Sequence, residues 1–400
     1  MKRVLFVDDD PPILAGLRRM FRGQRGEWDM HFAHSGEEAL RLFSESPFDV
    51  VVSDMRMPRM DGSQLLEQIR LKFPDTVRII LSGQSQNEAI MRCVGPAHQF
   101  LSKPCVPELL CQTITQACRL KEHLANPVLQ KLVTRIDNLP VLSDLYQRLV
   151  TELQRPDSSL SQVAELIASD LSMTAKVLQL VNSSFFGLPQ RVTDPKQAVS
   201  LLGLNLIQSM VLSAGVFFHP GAKLPAGFAL ESLVHHSLAV GWRARAIASH
   251  ESQNPRFVED ALLAGMMHDV GKLVLATGMT EEYGHVLERV HQSGANPLDA
   301  EREYFGVTHA DVGGFLLELW GLPAQVVEGV VFHHRPDEVV PAGLHLAGIV
   351  HVANALETTP SGDLATPPSP PLDREFVERV GWTDKLDGWR QLPVRPGGAT

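Results

Sequence analysis

The sequence predicts a multidomain chain: a doubly wound α/β domain with a five-stranded parallel sheet, followed by an all-α helical bundle. Three observations carry this. Over the first 120 residues short apolar runs alternate with stretches of helical period, and after Lys121 the strand-like runs cease. The apolar runs of the first part are continuous, as strands covered on both faces require. A length of 400 residues exceeds what one compact core holds.

The strands are expected at Val4–Val7, Met30–Ala33, Val50–Ser53, Arg78–Ser82 and Gln99–Ser102. Helices are expected between and after them, near 12–22, 36–45, 63–72, 87–93 and 107–120. In such a sheet the chemistry sits beyond the carboxyl ends of the strands. Those ends deliver Asp8 and Asp9, then Asp54 with Met55-Arg56-Met57-Pro58, then Ser82-Gly83, then Lys103-Pro104. Three carboxylates, a hydroxyl and an ammonium therefore meet on one rim. Close carboxylates repel one another, and a hard divalent cation with oxygen ligands, Mg²⁺, resolves the repulsion. A carboxylate beside Mg²⁺ and a lysine can accept a phosphoryl group, because both cations stabilise the equatorial oxygens in transfer.

These residues resemble the receiver domain of two-component response regulators, a flavodoxin-like fold. The resemblance covers residues 1–120 and rests on Val7-Asp8-Asp9, Asp54-Met55-Arg56-Met57-Pro58, Leu81-Ser82-Gly83 and Ser102-Lys103-Pro104. It implies that Asp54 is the phosphoacceptor and that Asp8, Asp9, Asp54 and the backbone carbonyl of Arg56 hold Mg²⁺. It further implies that Ser82 and Phe100 are the switch residues, that Lys103 contacts the phosphoryl oxygens, and that a sensor histidine kinase is the partner.

Residues 121–138 read as a helical connector carrying Pro127, and 139–392 as the bundle. Amphipathic segments are expected at 142–154, 160–168, 172–182, 195–202, 204–217, 229–249, 257–276, 281–293, 298–305, 308–319, 324–332 and 342–357, punctuated by Pro and Gly. Residues 358–371 read as a flexible Pro/Ser/Thr/Gly loop, 374–392 as short helices packing back, and 393–400 as a loose tail. Twelve of the sixteen histidines lie after residue 130. They gather at His235-His236, at His268-Asp269 within Met267-His268-Asp269-Val270-Gly271-Lys272, at His309 and at His333-His334. Imidazoles and a carboxylate from neighbouring helices can chelate one or two divalent transition metals, and two metals can activate water against a phosphate ester. His250, His285, His291 and His345 read as ordinary surface or core residues.

This part resembles the HDOD family, a relative of the HD phosphohydrolases. The resemblance rests on Leu139-Pro140, Val181-Asn182-Ser183-Ser184-Phe185-Phe186-Gly187, Ala198–Leu204, His268-Asp269-Val270-Gly271-Lys272, Trp320-Gly321-Leu322-Pro323 and His333-His334. It implies a signalling and interaction module without general catalysis, acting on a downstream protein partner that the sequence does not name. The alternative is a receiver-controlled, metal-dependent phosphodiesterase acting on a cyclic dinucleotide. His236, His268, Asp269, His309, His333 and His334 match the ligand positions of that related family. Its Gly-Tyr-Pro signature is absent, Arg335-Pro336-Asp337-Glu338 standing there instead. Asn354 also replaces a ligand aspartate, and an amide is the poorer ligand.

Charge narrows the partners. Residues 1–123 hold 16 basic and 16 acidic side chains, so the net charge of −10 lies wholly in the rest. An acidic bundle lacks the basic stripe that neutralises phosphates, so no direct nucleic-acid binding is expected. No apolar run is long enough for a membrane span. Four cysteines, Cys93, Cys105, Cys111 and Cys118, show no metal spacing and read as reduced thiols of a cytoplasmic protein. Homodimerisation stays open.

Overall fold

A computed structural model describes residues 1–83, 97–103, 105, 107–108, 110–115, 132, 143–153, 155, 158–182, 191–204, 207, 211, 223–339, 343–357 and 371–394. The side chains of Ser82, Gly83, Phe100, Ser102, Ser143 and Asp144 lie outside that description. So do Cys93, Cys118, the helix expected at 87–93, the connector except Leu132, most of the helix expected at 204–217 and most of the loop and tail.

Five parallel strands form the sheet: β1 (Lys2–Val7), β2 (Trp28–Ala33), β3 (Val50–Asp54), β4 (Val77–Gly83) and β5 (Gln99–Lys103), in the order β2-β1-β3-β4-β5. Val4, Leu5 and Phe6 of β1 and Val50, Val51 and Val52 of β3 are buried, which is why these strands read as unbroken apolar runs. Helices α1 (Pro11–Met20), α2 (Gly36–Glu45) and α3 (Gly62–Lys72) follow β1, β2 and β3. The first ends earlier than its expected limit of 22 and gives way to a turn at Arg22–Gln24. Ser35 caps α2, and Asp61 with Gln64 forms a reciprocal capping box on α3. A Cβ at Gly62 would stand 2.1 Å from the Asp54 carbonyl oxygen, so only glycine lets α3 start against the end of β3.

Further helices with described bounds are α4 (Ser143–Leu153), α5 (Leu160–Ala168), α6 (Leu171–Val181), α7 (Pro195–Leu202), α8 (Leu230–Glu251), α9 (Pro255–Met267), α10 (Val270–Gly278), α11 (Thr280–Ser293), α12 (Pro297–Phe305), α13 (His309–Leu319), α14 (Ala324–Val331), α15 (Leu346–Leu356), α16 (Arg374–Arg379) and α17 (Leu386–Gln391). The single helix expected over 257–276 is two helices, broken at His268-Asp269. His268 and Asp269 therefore lie at a junction rather than within one helix. The apolar spacing continues through the break, which hides it from a reading of periodicity.

Glycines set the crossings. A Cβ at Gly265 of α9 would lie 2.8 Å from the Gly241 Cα of α8, and one at Gly271 of α10 would lie 1.9 Å from the His309 carbonyl of α13. Backbone thus packs on backbone at both contacts. His236 on α8, His268 after α9, Asp269 before α10 and His309 at the start of α13 are drawn to one centre. At the C-terminus, Arg243 of α8 donates to the carbonyls of Trp389, Arg390 and Leu392 and pairs with Glu357 at 2.7 Å. Phe376 and Trp382 close over Gly348 of α15.

Candidate functional site

The first candidate site lies at the carboxyl rim of the sheet. Asp8 follows β1, Asp54 ends β3 and Lys103 ends β5, so parallel register delivers the three to one place. Asp8 is buried and accepts the Asp10 N–H at 2.9 Å, whereas Asp9 is exposed. The Lys103 ammonium lies 2.7 Å from Asp8 Oδ2 and contacts Asp54 Oδ1. The Arg56 N–H donates to Asp54 Oδ2 at 2.6 Å. Burial raises the Asp54 carboxyl above its ordinary value, and Lys103 offsets part of that rise. Burial works against the Lys103 charge, yet Asp54 and Asp8 together hold its pKa above the usual lysine value. Ser82 is paired with Ser102 across β4 and β5, on the same rim.

The second lies in the bundle. Asp269, His309, His333 and His334 each offer a ligand atom within 4.8 Å of one another, and His236, His268 and Asp269 do the same. Asp269 belongs to both groups. The ring orientations have a local cause. His268 and His333 each stand just past the end of a helix, α9 and α14, and each donates Nδ1–H to a carbonyl of the last turn, Gly265 O and Val330 O, at 2.7 Å. A ring so anchored turns Nε2 the other way. Nε2 of His268 and Nε2 of His333 are buried without a well-formed hydrogen bond; around Asp269, His268 Nε2 stands 3.3 Å from Oδ2 and His309 Nε2 3.1 Å from Oδ1. Buried polar atoms are otherwise partnered, and imidazole nitrogens crowded around one buried carboxylate are the donor set of a cation site.

Electrostatics fit that assignment. Asp269 is held well below the ordinary carboxylate range: burial opposes this, but His268, Lys272 and His309 outweigh it. The Lys272 ammonium sits 2.7 Å from Asp269 Oδ2. Burial, then neighbouring rings, keeps His333 and His334 well below the usual histidine value, and His236 falls to about 4 for the same reasons. His309 is the exception. Burial opposes its charge, but Glu301 and Asp269 push it up to about 9. Its Nε2 is 3.1 Å from Asp269 Oδ1 and 3.2 Å from His334 Nε2. A cavity of about 630 Å³ opens above, with His236, Asp269, Lys272, His309, His334 and Asn354 on its walls and Asn296, Pro297, Leu298, Pro371, Leu372 and Asp373 among the rest.

The structure brings all six expected ligands together. His235, the neighbour of His236, is exposed, as are His250, His285 and His291. His345 caps α15 by accepting the Gly348 N–H. Asn354 sits 3.1 Å from His236 Nε2, on the cavity wall. Two buried residues were not foreseen. His351 donates Nδ1–H to His333 O at 2.9 Å and accepts the Asp373 N–H on Nε2. Glu301 accepts from both the backbone and the ring of His309. The apolar run Leu346–Val352 is a signal that His351 is buried, whereas a glutamate within an amphipathic helix carries none.

Comparison with known proteins agrees. A family model described as "Response regulator receiver domain" matches residues 4–115, and one described as "HDOD domain" matches 139–336. The hydrogenase transcriptional regulatory protein HoxA of Cupriavidus necator is 35% identical over 116 residues, 28% of this chain and 23% of that protein. An uncharacterized protein of Treponema pallidum is 26% identical over 274 residues, 66% of this chain and 50% of its own length. The chain thus spans half or less of these curated relatives. A crystal structure of a virulence factor from Campylobacter jejuni superposes with TM-score 0.50 at 21% identity, covering 66% of this chain and 96% of that one, a likeness of fold. The chain therefore carries a response regulator receiver domain followed by an HDOD domain.

Proposed function

We propose that phosphorylation of Asp54 switches this protein and that the HDOD domain passes the change to a downstream protein. The observation that carries the reading is the Lys103 ammonium seated between Asp8 and Asp54. Two carboxylates on adjacent strand ends, one cation already between them, are hard oxygen donors suited to Mg²⁺. Asp8, Asp9, Asp54 and the Arg56 carbonyl would hold it. The ion would supply charge stabilisation for the transferring phosphoryl group. In the transfer an Asp54 carboxylate oxygen attacks phosphorus, and the phosphorus–nitrogen bond of a sensor histidine kinase phosphohistidine breaks. Lys103 pairs with the phosphoryl oxygens, and Ser82 and Phe100 reorient. Labelled phosphate from the kinase or from acetyl phosphate should appear on the wild-type chain and not on Asp54→Asn. Equal labelling of the two rejects the reading.

The buried Nε2 atoms of His268 and His333, gathered beside Asp269, support a second element. The bundle holds a divalent transition metal, with ligands drawn from His236, His268, Asp269, His309, His333 and His334. The bound ion would supply Lewis acidity or a structural clamp. Chelator-treated protein should take up Zn²⁺ or Co²⁺ tightly, and Asp269→Asn should not. The cyclic-dinucleotide phosphodiesterase reading gains no support from the relatives above.

A further inference from the structure

We infer that Glu301 is a positioning residue for this bundle site, fixing His309 so that Nε2 is its only ligand atom; the inference rests on the metal reading above. Glu301 is buried at 1% exposure on α12, eight residues before His309. Its Oε2 accepts the His309 backbone N–H at 2.7 Å, and both carboxylate oxygens lie within 3.0 Å of His309 Nδ1. One carboxylate therefore grips the residue at two points, main chain and ring. The ring cannot turn over without breaking a buried, charge-assisted hydrogen bond. Tyr283 of α11 is fully buried and donates its hydroxyl toward Glu301 Oε1 at 3.4 Å, so the carboxylate is itself oriented.

The contrast with the other rings shows what Glu301 adds. His268 and His333 lean on backbone carbonyls, while His309 leans on a full negative charge. Asp269 is the one carboxylate in either ligand group. Lys272 already offsets Asp269, so Glu301 adds the negative charge that a divalent ion still needs, and an outer carboxylate makes the ring a stronger donor. In whatever protonation state the free ring rests, Nδ1 keeps its proton on Glu301, and Nε2, facing Asp269 and His334, is left to the ion.

The test uses the full chain, freed of metal by chelator, with Co²⁺ as the probe. Glu301→Gln keeps the volume and loses the charge. It should weaken Co²⁺ binding by about 10- to 100-fold and broaden the visible spectrum of the bound ion, while helix content is unchanged. Glu301→Asp should recover part of the affinity. Long-range ¹H–¹⁵N spectra of histidine-labelled wild-type protein should show a slowly exchanging proton on His309 Nδ1. That proton should exchange faster in Glu301→Gln. An unprotonated Nδ1 in the wild-type chain overturns the inference with no variant needed. Equal Co²⁺ affinity in wild type and Glu301→Gln overturns it as well. A wild-type chain that binds no Co²⁺ yet keeps the Glu301-dependent proton sinks the metal reading and upholds the positioning role.

Discussion

The side-chain amide of Gln99, on β5, donates to the backbone carbonyl of Leu319 at 2.9 Å, although 220 residues separate them. Leu319 ends α13, and His309 begins it. Lys103, which touches Asp8 and Asp54, ends the strand that Gln99 begins. One strand and one helix therefore run from the carboxylate rim of the sheet to the histidine cluster. A second bond, Gln179 Nε2 of α6 to the His98 carbonyl at 3.0 Å, fastens the same edge of the sheet.

Removing the Gln99 amide should loosen that junction. Gln99→Ala forfeits a hydrogen bond worth about 0.5–1.5 kcal/mol net. Hydrogen exchange should quicken in the last turn of α13 and stay unchanged in its first turn, which Thr308 and Asp311 cap reciprocally. Unaltered exchange near Leu319 would mean that the contact does not hold the two domains together.

Lys103→Gln should convert an ion-paired rim into a repulsive one. Asp8 and Asp54 are both buried and would face each other without the ammonium. With Lys103 about a quarter exposed, a loss of about 1–3 kcal/mol is expected. The loss has a pH signature. Burial raises the folded-state carboxyl of Asp54, so its ionised form is the disfavoured one. The penalty is present above that raised value and fades as pH falls through it, because the neutral acid does not repel Asp8. Millimolar Mg²⁺ should restore more stability to Lys103→Gln than it adds to the wild type. Urea titrations at two pH values, with and without Mg²⁺, measure all three effects.

Much of this was legible in the chain because the receiver residues sit directly after apolar runs. Asp8, Asp54 and Lys103 each follow or end a strand, so reading the strands also located the rim. The candidate ligands of the bundle were legible by type: histidines beside an aspartate, near helix ends. What joins them was not. The break at His268-Asp269 interrupts no apolar period, since Met266, Met267, Val270 and Leu273 are all buried. Glu301 lies in an amphipathic helix whose pattern gives no reason to bury it. Gln99 and Leu319 meet only through tertiary packing.

The two ligand groups predict an asymmetric response to mutation. Asp269 serves both, whereas His236 serves only the group it forms with His268. Asp269→Asn should abolish Co²⁺ uptake, and His236→Ala should leave the group of Asp269, His309, His333 and His334 able to bind. Stoichiometric titration of chelator-treated protein decides this. Equal loss in both variants would show that the ion needs His236 as well as Asp269.

The helix crossings give the sharpest structural prediction. Gly271 approaches α13 so closely that an added methyl would overlap the His309 carbonyl, and the Gly313 nitrogen would stand at 2.8 Å. These are backbone atoms, which cannot swing aside as a side chain would. Gly271→Ala must push α10 and α13 apart, at a cost of about 1–3 kcal/mol or more. The displacement would also separate Asp269, just before α10, from His309, at the start of α13, now 3.1 Å apart. Lost stability should therefore come with lost Co²⁺ affinity. Gly388→Ala is the control: nothing lies within 4 Å of its added carbon, in helix α17. It should leave both quantities unchanged. A Gly271→Ala chain as stable as wild type, by urea midpoint, would contradict the close crossing on which the cluster depends.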